Sequence, residues 1–240
     1  MRDDFLHRLL RALEEGRPVV TATLLPEGSQ ALILPLEPDA GEGAPGWDPV
    51  EGGSLLDEAR KALLEDRSAS ITSEVGTVFL RPYNPPVRLV VVGAVHITAP
   101  LAQMAGAAGI EVHVVDPRTA FATAERFPGV HVLDRWPAEA LEELQPDHRT
   151  AVVTLTHDAK LDDPALRAAL ASPAFYVGAL GSTRTHAKRV KRLREDGVSE
   201  EDIGRIRAPV GVDIGARTPA EIAVAILAEL VAHLRRAEAS

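Results

Sequence analysis

Apolar residues recur with helical spacing over the first 14 positions. Phe5, Leu6, Leu9, Leu10 and Leu13 share one face of a helix expected over 3–14, which Gly16 stops. Val19 to Leu25 and Ala31 to Leu36 read as two strands joined by the turn Pro26-Glu27-Gly28-Ser29. An acidic Gly/Pro-rich stretch, Glu37 to Gly53, predicts a loop. A helix over Leu55–Glu65 and strands near Ala69–Ser73 and Thr77–Arg81 complete a small α+β unit. Pro82, Pro85 and Pro86 then mark a boundary, because proline continues neither a ladder nor a helix. The expected division is 1–86 and 87–240.

Beyond that boundary the rhythm changes. Leu89-Val90-Val91-Val92 is an unbroken apolar run, as in a strand buried on both faces. Similar runs fall at Val112–Val115, Val130–Leu133, Ala151–Leu155 and Phe175–Val177. Helical segments separate most of them, at Leu101–Ala108, Pro137–Leu144 and Pro164–Ala171. Strands alternating with helices predict an α/β fold: a Rossmann-like, doubly wound parallel sheet beside the small N-terminal α+β domain. The last helix announces itself most clearly. Thr218-Pro219-Ala220-Glu221 is a capping box with proline at the first helical position, and Ile222, Ile226 and Leu230 lie on a wide apolar face behind it.

Composition narrows the chemistry. The 240 residues are 45% hydrophobic but only 4% aromatic, so the core is built from Ala, Val, Leu and Ile. With 26 Lys plus Arg against 35 Asp plus Glu, the formal charge is −9. Nucleic acid and anionic membranes are therefore not expected partners, and any bound anion needs a local basic site. The chain has no cysteine, which excludes disulfides, thiolate metal sites and a cysteine nucleophile. Met1-Arg2-Asp3-Asp4 is charged with no apolar stretch after it, so a cytoplasmic location is the default expectation. The eight histidines show no H-x-x-x-H spacing, and no metal site is expected.

Four segments carry candidate binding residues. Gly93-Ala94-Val95-His96 follows the first strand of the second region, where a dinucleotide fold places G-x-G-x-x-G. Here Val95 stands at the second glycine. Asp116, at the end of the next strand, has the spacing of a ribose acceptor, with Arg118 as a rival phosphate contact; Gly93 as a plain turn and Asp116 as a helix cap are the structural alternatives. Gly178-Ala179-Leu180-Gly181-Ser182-Thr183-Arg184 follows a strand and opens a helix. Gly181, Ser182, Thr183 and Arg184 are placed to cradle a phosphate, or Ser182 simply caps a solvated cationic helix that continues through Lys188, Arg189, Lys191, Arg192 and Arg194. Thr156-His157-Asp158 ends another strand, where open α/β sheets bind ligands; His157 suits hydrogen bonding and Asp158 suits orienting it. Asp163-Pro164 reads as an N-cap and first-turn proline. Asp213 and Arg217, with Arg207, sit in a Gly/Pro loop before the last helix, as a clamp or as an anion contact.

These segments, taken in order, resemble the XdhC/CoxI family, accessory proteins of xanthine dehydrogenase and related molybdenum hydroxylases. The likeness runs from about Val78 to Leu234 and is carried by Val115-Asp116-Pro117-Arg118, Glu125-Arg126-Phe127-Pro128, Thr156-His157-Asp158, Tyr176-Val177-Gly178-Ala179-Leu180-Gly181-Ser182, Ile206-Arg207-Ala208-Pro209 and Asp213-Ile214-Gly215-Ala216-Arg217-Thr218-Pro219. The resemblance implies an XdhC/CoxI domain followed by an XdhC Rossmann domain. It implies a non-catalytic chaperone that holds molybdenum cofactor (molybdopterin), aids its sulfuration and delivers it to an apo-hydroxylase. A cysteine desulfurase and a second copy of the chain are implied partners. On this reading Ser182, Thr183 and Arg184 hold the cofactor phosphate, and His157 and Asp158 face its pterin. Two departures stand out: Gly93-Ala94-Val95-His96 replaces the family's G-x-G-H, and Gly52-Gly53-Ser54 replaces Gly-Gly-Cys. Ser54, read as a helix cap with Asp57 behind it, carries no persulfide. An NAD(P)-dependent oxidoreductase with Asp116 on the ribose, and a ligand-free scaffold, remain the rival expectations.

Overall fold

The computed structural model describes residues 3–36, 41–42, 54–73, 76–121, 123 and 125–237. The chain separates into two compact units, one of residues 1–85 with 235–240 and one of Pro86–Leu234.

In the first unit the elements are α1 (Asp3–Glu14), β1 (Val19–Leu25), β2 (Gln30–Ile33), β3 (Gly41–Glu42), α2 (Ser54–Leu64), β4 (Ala69–Ser73) and β5 (Gly76–Tyr83). The strands form an antiparallel sheet in the order β3-β2-β1-β5-β4. Val20, Ala22 and Leu24 alternate onto the face that packs on Leu55, Ala59 and Leu63 of α2. Val19 and Leu32 meet Leu9 and Ala12 of α1 on a separate cluster. Leu6, Leu10 and Leu13, expected beside Leu9 on one face, stay exposed at 38–45%. The pairing of Leu32 with Glu42 carries the sheet into the expected loop. The rest of that loop, with Gly52 and Gly53, lies outside the described residues, and so does the side chain of Ser54. β5 runs through Pro82, which pairs with Val20, to Tyr83. β4 pairs only as far as Leu80, so the missing N–H of Pro82 breaks no bond on that side.

The second unit contains β6 (Arg88–Val92), α3 (Thr98–Ala107), β7 (Glu111–Val115), β8 (His131–Leu133), α4 (Pro137–Leu144), β9 (Thr150–Thr154), α5 (Ala159–Leu170), β10 (Tyr176–Ala179), α6 (Thr183–Glu195), α7 (Glu200–Gly204), β11 (Ile206–Arg207) and α8 (Pro219–Ala237). Its sheet is parallel throughout, in the order β11-β10-β9-β6-β7-β8. This is the α/β, Rossmann-like architecture expected from the alternation of strands and helices. Leu89, Val91, Val112, Val114 and Val153 face Leu101 and Ala105 of α3 and Ile226 and Leu230 of α8. Val90, Val92, Val115 and Val152 face Leu141, Leu166 and Leu193 of α4, α5 and α6. Covering both faces is what makes the strand sequences continuously apolar.

One local reading is overturned. α5 starts five residues before Pro164, and its cap is Asp158, whose Oδ1 accepts from Lys160 N at 2.9 Å. Asp163 is not a cap; it lies inside the helix and takes a two-pronged ion pair from Arg192. α7 and β11 had no counterpart in the sequence pattern, because elements of five and two residues are too short to show a period.

Candidate functional site

Chain order reverses between β6 and β9: from β6 the chain builds outward through β7 and β8, then returns to β9 on the other side of β6. Such a reversal leaves a crevice beyond the C-terminal strand ends, the usual ligand position in open α/β sheets. Gly93 leaves the tip of β6 and Thr156-His157-Asp158 the tip of β9, so they flank that point directly. The two turns touch. Gly93 has φ +114, and a Cβ there would fall 2.6 Å from Thr156 Cγ2 and 3.3 Å from Thr156 N. Glycine is thus demanded by the neighbouring turn as well as by its own backbone angle.

The β6–α3 turn spends its first amides internally. Ala94 N donates to Asp116 Oδ2 at 2.8 Å, and Val95 N donates to Thr98 Oγ1 at 3.2 Å. Thr98 Oγ1 in turn donates to Gly93 O. His96 is exposed on the turn.

Asp116 is wholly buried at the tip of β7, and both its oxygens are engaged. Arg118 reaches it through Nε to Oδ1 (2.8 Å) and Nη2 to Oδ2 (2.7 Å), and the Arg118 amide adds a third bond at 3.0 Å. Burial works to raise the Asp116 carboxyl; the bonds from Arg118 and from the Ala94 and Arg118 amides outweigh it and hold the group below its ordinary value. The expected ribose acceptor is therefore a brace between β6 and β7 with its lone pairs committed. What it presents outward is Arg118, whose guanidinium lies 4.9 Å from the centre of the Phe121 ring and feels the charges of Asp158 and Asp162 across the crevice. Arg126 ties down the same rim, donating through Nη1 to Phe121 O at 2.6 Å and Ala94 O at 3.2 Å. Phe121 and Arg126 had no role assigned from sequence; only the Glu125-Arg126-Phe127-Pro128 block pointed to the segment.

On the β9 side, His157 is exposed and held at φ +62. A left-handed angle at a non-glycine residue is uncommon and needs support from its neighbours. Support comes from both flanks: Asp158 caps α5, and Asp162, 2% exposed, accepts from Thr156 Oγ1 at 2.7 Å and from Thr156 N at 3.3 Å.

The next strand, β10, delivers the cationic helix. Leu180 N donates to Thr154 O, which fixes the β10 exit against the β9 tip. Gly181 turns the chain, and Ser182 caps α6, accepting from Thr185 N at 3.3 Å. Ser182, Thr183 and Arg184 are exposed. The amides of Thr183 and Arg184 occupy the first two helical positions, where the helix itself offers no acceptor. Among the described residues Arg184 has no hydrogen-bond or ion-pair partner, unlike Arg192 and Arg194 further along.

The loop before α8 starts at the same end, since Val210 N donates to Ala179 O. The expected Arg–Asp clamp does not form: among the described residues Asp213 pairs with neither Arg207 nor Arg217. Tyr176 OH donates to Glu229 Oε2 at 2.5 Å, and the same oxygen accepts Gly211 N at 2.7 Å. Gly178 makes room for that phenol: a Cβ there would lie 2.9 Å from Tyr176 Cε1. Asp213 closes a local turn on Gly215 N, and Glu221 accepts both the Arg217 and Thr218 amides in the expected capping box. Asp213 and Arg217 are exposed, and no hydrogen bond among the described residues joins either of them to Gly93, His157 or Ser182.

No helix among the described residues is long and apolar enough to cross a membrane, and no cluster of His, Asp and Glu among them is arranged to hold a metal ion.

Comparison with known proteins converges on one family. The XdhC Rossmann domain profile matches residues 89–230, more than half of the chain. The molybdenum cofactor insertion chaperone PaoD of Escherichia coli is 44% identical over 100 residues, 42% of this chain and 31% of that protein. A probable xanthine dehydrogenase subunit of Bacillus subtilis is 32% identical over 160 residues, 66% of this chain and 46% of that protein. The chain thus spans less than half of either relative. A crystal structure described as a xanthine dehydrogenase (BH1974) from Bacillus halodurans superposes with a TM-score of 0.72 at 26% identity, over 97% of this chain and 64% of that one. Fold, ordered sequence blocks and profile agree: this chain belongs to the XdhC family, with the XdhC Rossmann domain as its larger unit.

Proposed function

We propose that this chain is an accessory chaperone that holds molybdenum cofactor by its phosphate and hands it to an apo-hydroxylase of the xanthine dehydrogenase type. The observation that carries the reading is the open start of α6. Two amides without helical acceptors, the exposed hydroxyls of Ser182 and Thr183 and the unpartnered Arg184 stand just past β10, the strand beside the one that leads to the His157 turn. That donor set fits a phosphate. The name of one relative, a molybdenum cofactor insertion chaperone, supports reading the phosphate as that of molybdenum cofactor.

The rest of the chemistry follows from what the residues can and cannot do. Without a cysteine, the chain neither ligates molybdenum through sulfur nor carries a persulfide, so sulfur for the cofactor comes from a partner such as a cysteine desulfurase. His157, exposed beside the crevice, offers a hydrogen bond to the pterin, and Asp158 orients the turn by capping α5. A dinucleotide is the weaker fit. The Ala94 and Val95 amides of the Gly93 turn and the Asp116 carboxylate, which such a ligand needs, are already bonded within the chain.

Calorimetric titration with purified molybdopterin tests the proposal. The parent chain binds, and an Arg184→Ala, His157→Ala double variant binds at least about tenfold more weakly, the loss of one or two charge-assisted bonds. Unchanged affinity in the double variant sinks the assignment of the site.

A further inference from the structure

Arg189 differs from every other cation of α6. Its side chain is 2% exposed, as is that of Asp162. Arginine side chains on a helix lie back toward its N-terminus, and Arg189 reaches that far: Nη2 donates at 2.8 Å to Leu180 O, two residues before the cap Ser182. Nε and Nη1 are buried and have no acceptor. The Asp162 carboxylate stands 3.8 Å from Nη2, beyond hydrogen-bonding distance, and its Oδ1 is occupied by Thr156. Burial raises the Asp162 carboxyl against the opposing effects of Thr156 and Arg189, and burial lowers the Arg189 guanidinium. Two other polar atoms nearby share this condition. Thr154 Oγ1, on the strand face that carries α5 and α6, and His186 Nδ1, one turn before Arg189, are buried without partners.

A buried guanidinium with two idle donors is costly, and apolar or neutral side chains in place of both Arg189 and Asp162 would remove the cost. Its place, directly under the start of α6 and bonded to the loop that leads there, says what it is positioned to serve. We propose that Arg189 is a buried counter-charge for the phosphate assigned above to the N-terminus of α6, and that it makes this end of the crevice select a doubly charged head group. The inference rests on that reading of the site. The Thr183 and Arg184 amides and the Arg184 side chain meet the anion from outside. Arg189 adds positive charge from below, offset in part by Asp162 but little screened by water, so its effect on a dianion exceeds that on a singly charged or neutral group. Asp162, too distant to neutralise it by a hydrogen bond, keeps the charge tolerable while ordering the Thr156–His157 turn.

The test uses inorganic phosphate as one probe, and molybdopterin beside its dephosphorylated pterin as a second. Arg189→Met keeps the bulk and removes the charge; Arg189→Lys keeps the charge. Phosphate is expected to raise the melting temperature of the parent, to have no such effect on Arg189→Met, and to recover part of it with Arg189→Lys. The preference for molybdopterin over the dephosphorylated form falls about tenfold or more in Arg189→Met. Without ligand, Arg189→Met, Asp162→Asn serves as the control, because removing the arginine alone leaves the buried Asp162 carboxylate without its counter-ion and lowers the melting temperature in either case. A merely structural arginine leaves both the phosphate response and the preference for molybdopterin intact in the variants, and that overturns the proposal. So does a parent protein that phosphate does not stabilise. If phosphate acts through Arg189 but molybdopterin does not bind, the counter-charge stands and the cofactor reading falls.

Discussion

Gly93 and Thr156 meet so closely that the space for a β-carbon on the first is filled by the methyl group of the second, 2.6 Å away. The contact joins the tips of two neighbouring strands at the point where the sheet changes direction. Gly93→Ala therefore faces a clash and a left-handed backbone at once. It is expected to destabilise the second unit by about 2–4 kcal/mol, measured as a shift in the urea midpoint with an unchanged slope. Gly93→Ala, Thr156→Ser relieves the clash but not the backbone strain, and should recover only part of the loss.

Asp116 makes stability depend on acid. Its carboxyl is held below the ordinary value in the folded chain by bonds from Arg118, Ala94 N and Arg118 N, against the opposing effect of burial. The unfolded chain thus binds its proton first. The contribution is fully present above the unfolded value near 3.8, and is lost as pH falls through the lower folded value. Asp116→Asn should lower stability at neutral pH and flatten the acid limb of a stability–pH profile. A variant whose acid limb matches the parent's would show that the brace contributes no proton linkage.

The phenol of Tyr176 reaches Glu229, 53 positions later, and the same carboxylate oxygen holds Gly211 N. Removing the hydroxyl in Tyr176→Phe should cost about 1–2 kcal/mol. Because Gly211 opens the loop that carries Asp213 and Arg217, amide exchange over 211–217 should also accelerate. Exchange confined to β10 would mean the loop is secured by other contacts.

Val95 occupies the place where a dinucleotide fold has its second glycine. Substituting glycine there should not create nicotinamide binding, because the Ala94 and Val95 amides remain bonded to Asp116 and Thr98. Saturable quenching of NADH fluorescence by Val95→Gly would count directly against this account of the turn.

Much of this was legible before any coordinates. Apolar runs such as Leu89–Val92, alternating with helical segments, identify the parallel strands, and the Thr218–Glu221 box places the start of α8 to the residue. What the pattern missed were residues whose role depends on distant chain. Pro164 suggested a helix start because proline favours first turns, yet the stronger cap six residues earlier, Asp158, began the helix and left the proline inside it. Arg189 sits in a run of cations that reads as a solvated face; only its spacing of four from buried Leu193 hints that it points inward. Asp116 has the spacing of a ribose acceptor, but spacing says nothing of whether Arg118 and Ala94 will claim its oxygens first. Glu229 carried no signal at all, since its partners lie on a different strand and a different loop.

Parallel strands put Gly93, Asp116, His157 and Ser182 at one end of the second unit, opposite the end where Arg88 binds the carbonyls of Leu144 and Gln145. The sequence contains no sulfhydryl. A single cysteine introduced at exposed Glu142, on the helix just before that junction, would accordingly be a unique handle. A dye or a tether attached there would report on events at the other strand ends without touching Gly93, His157 or Ser182.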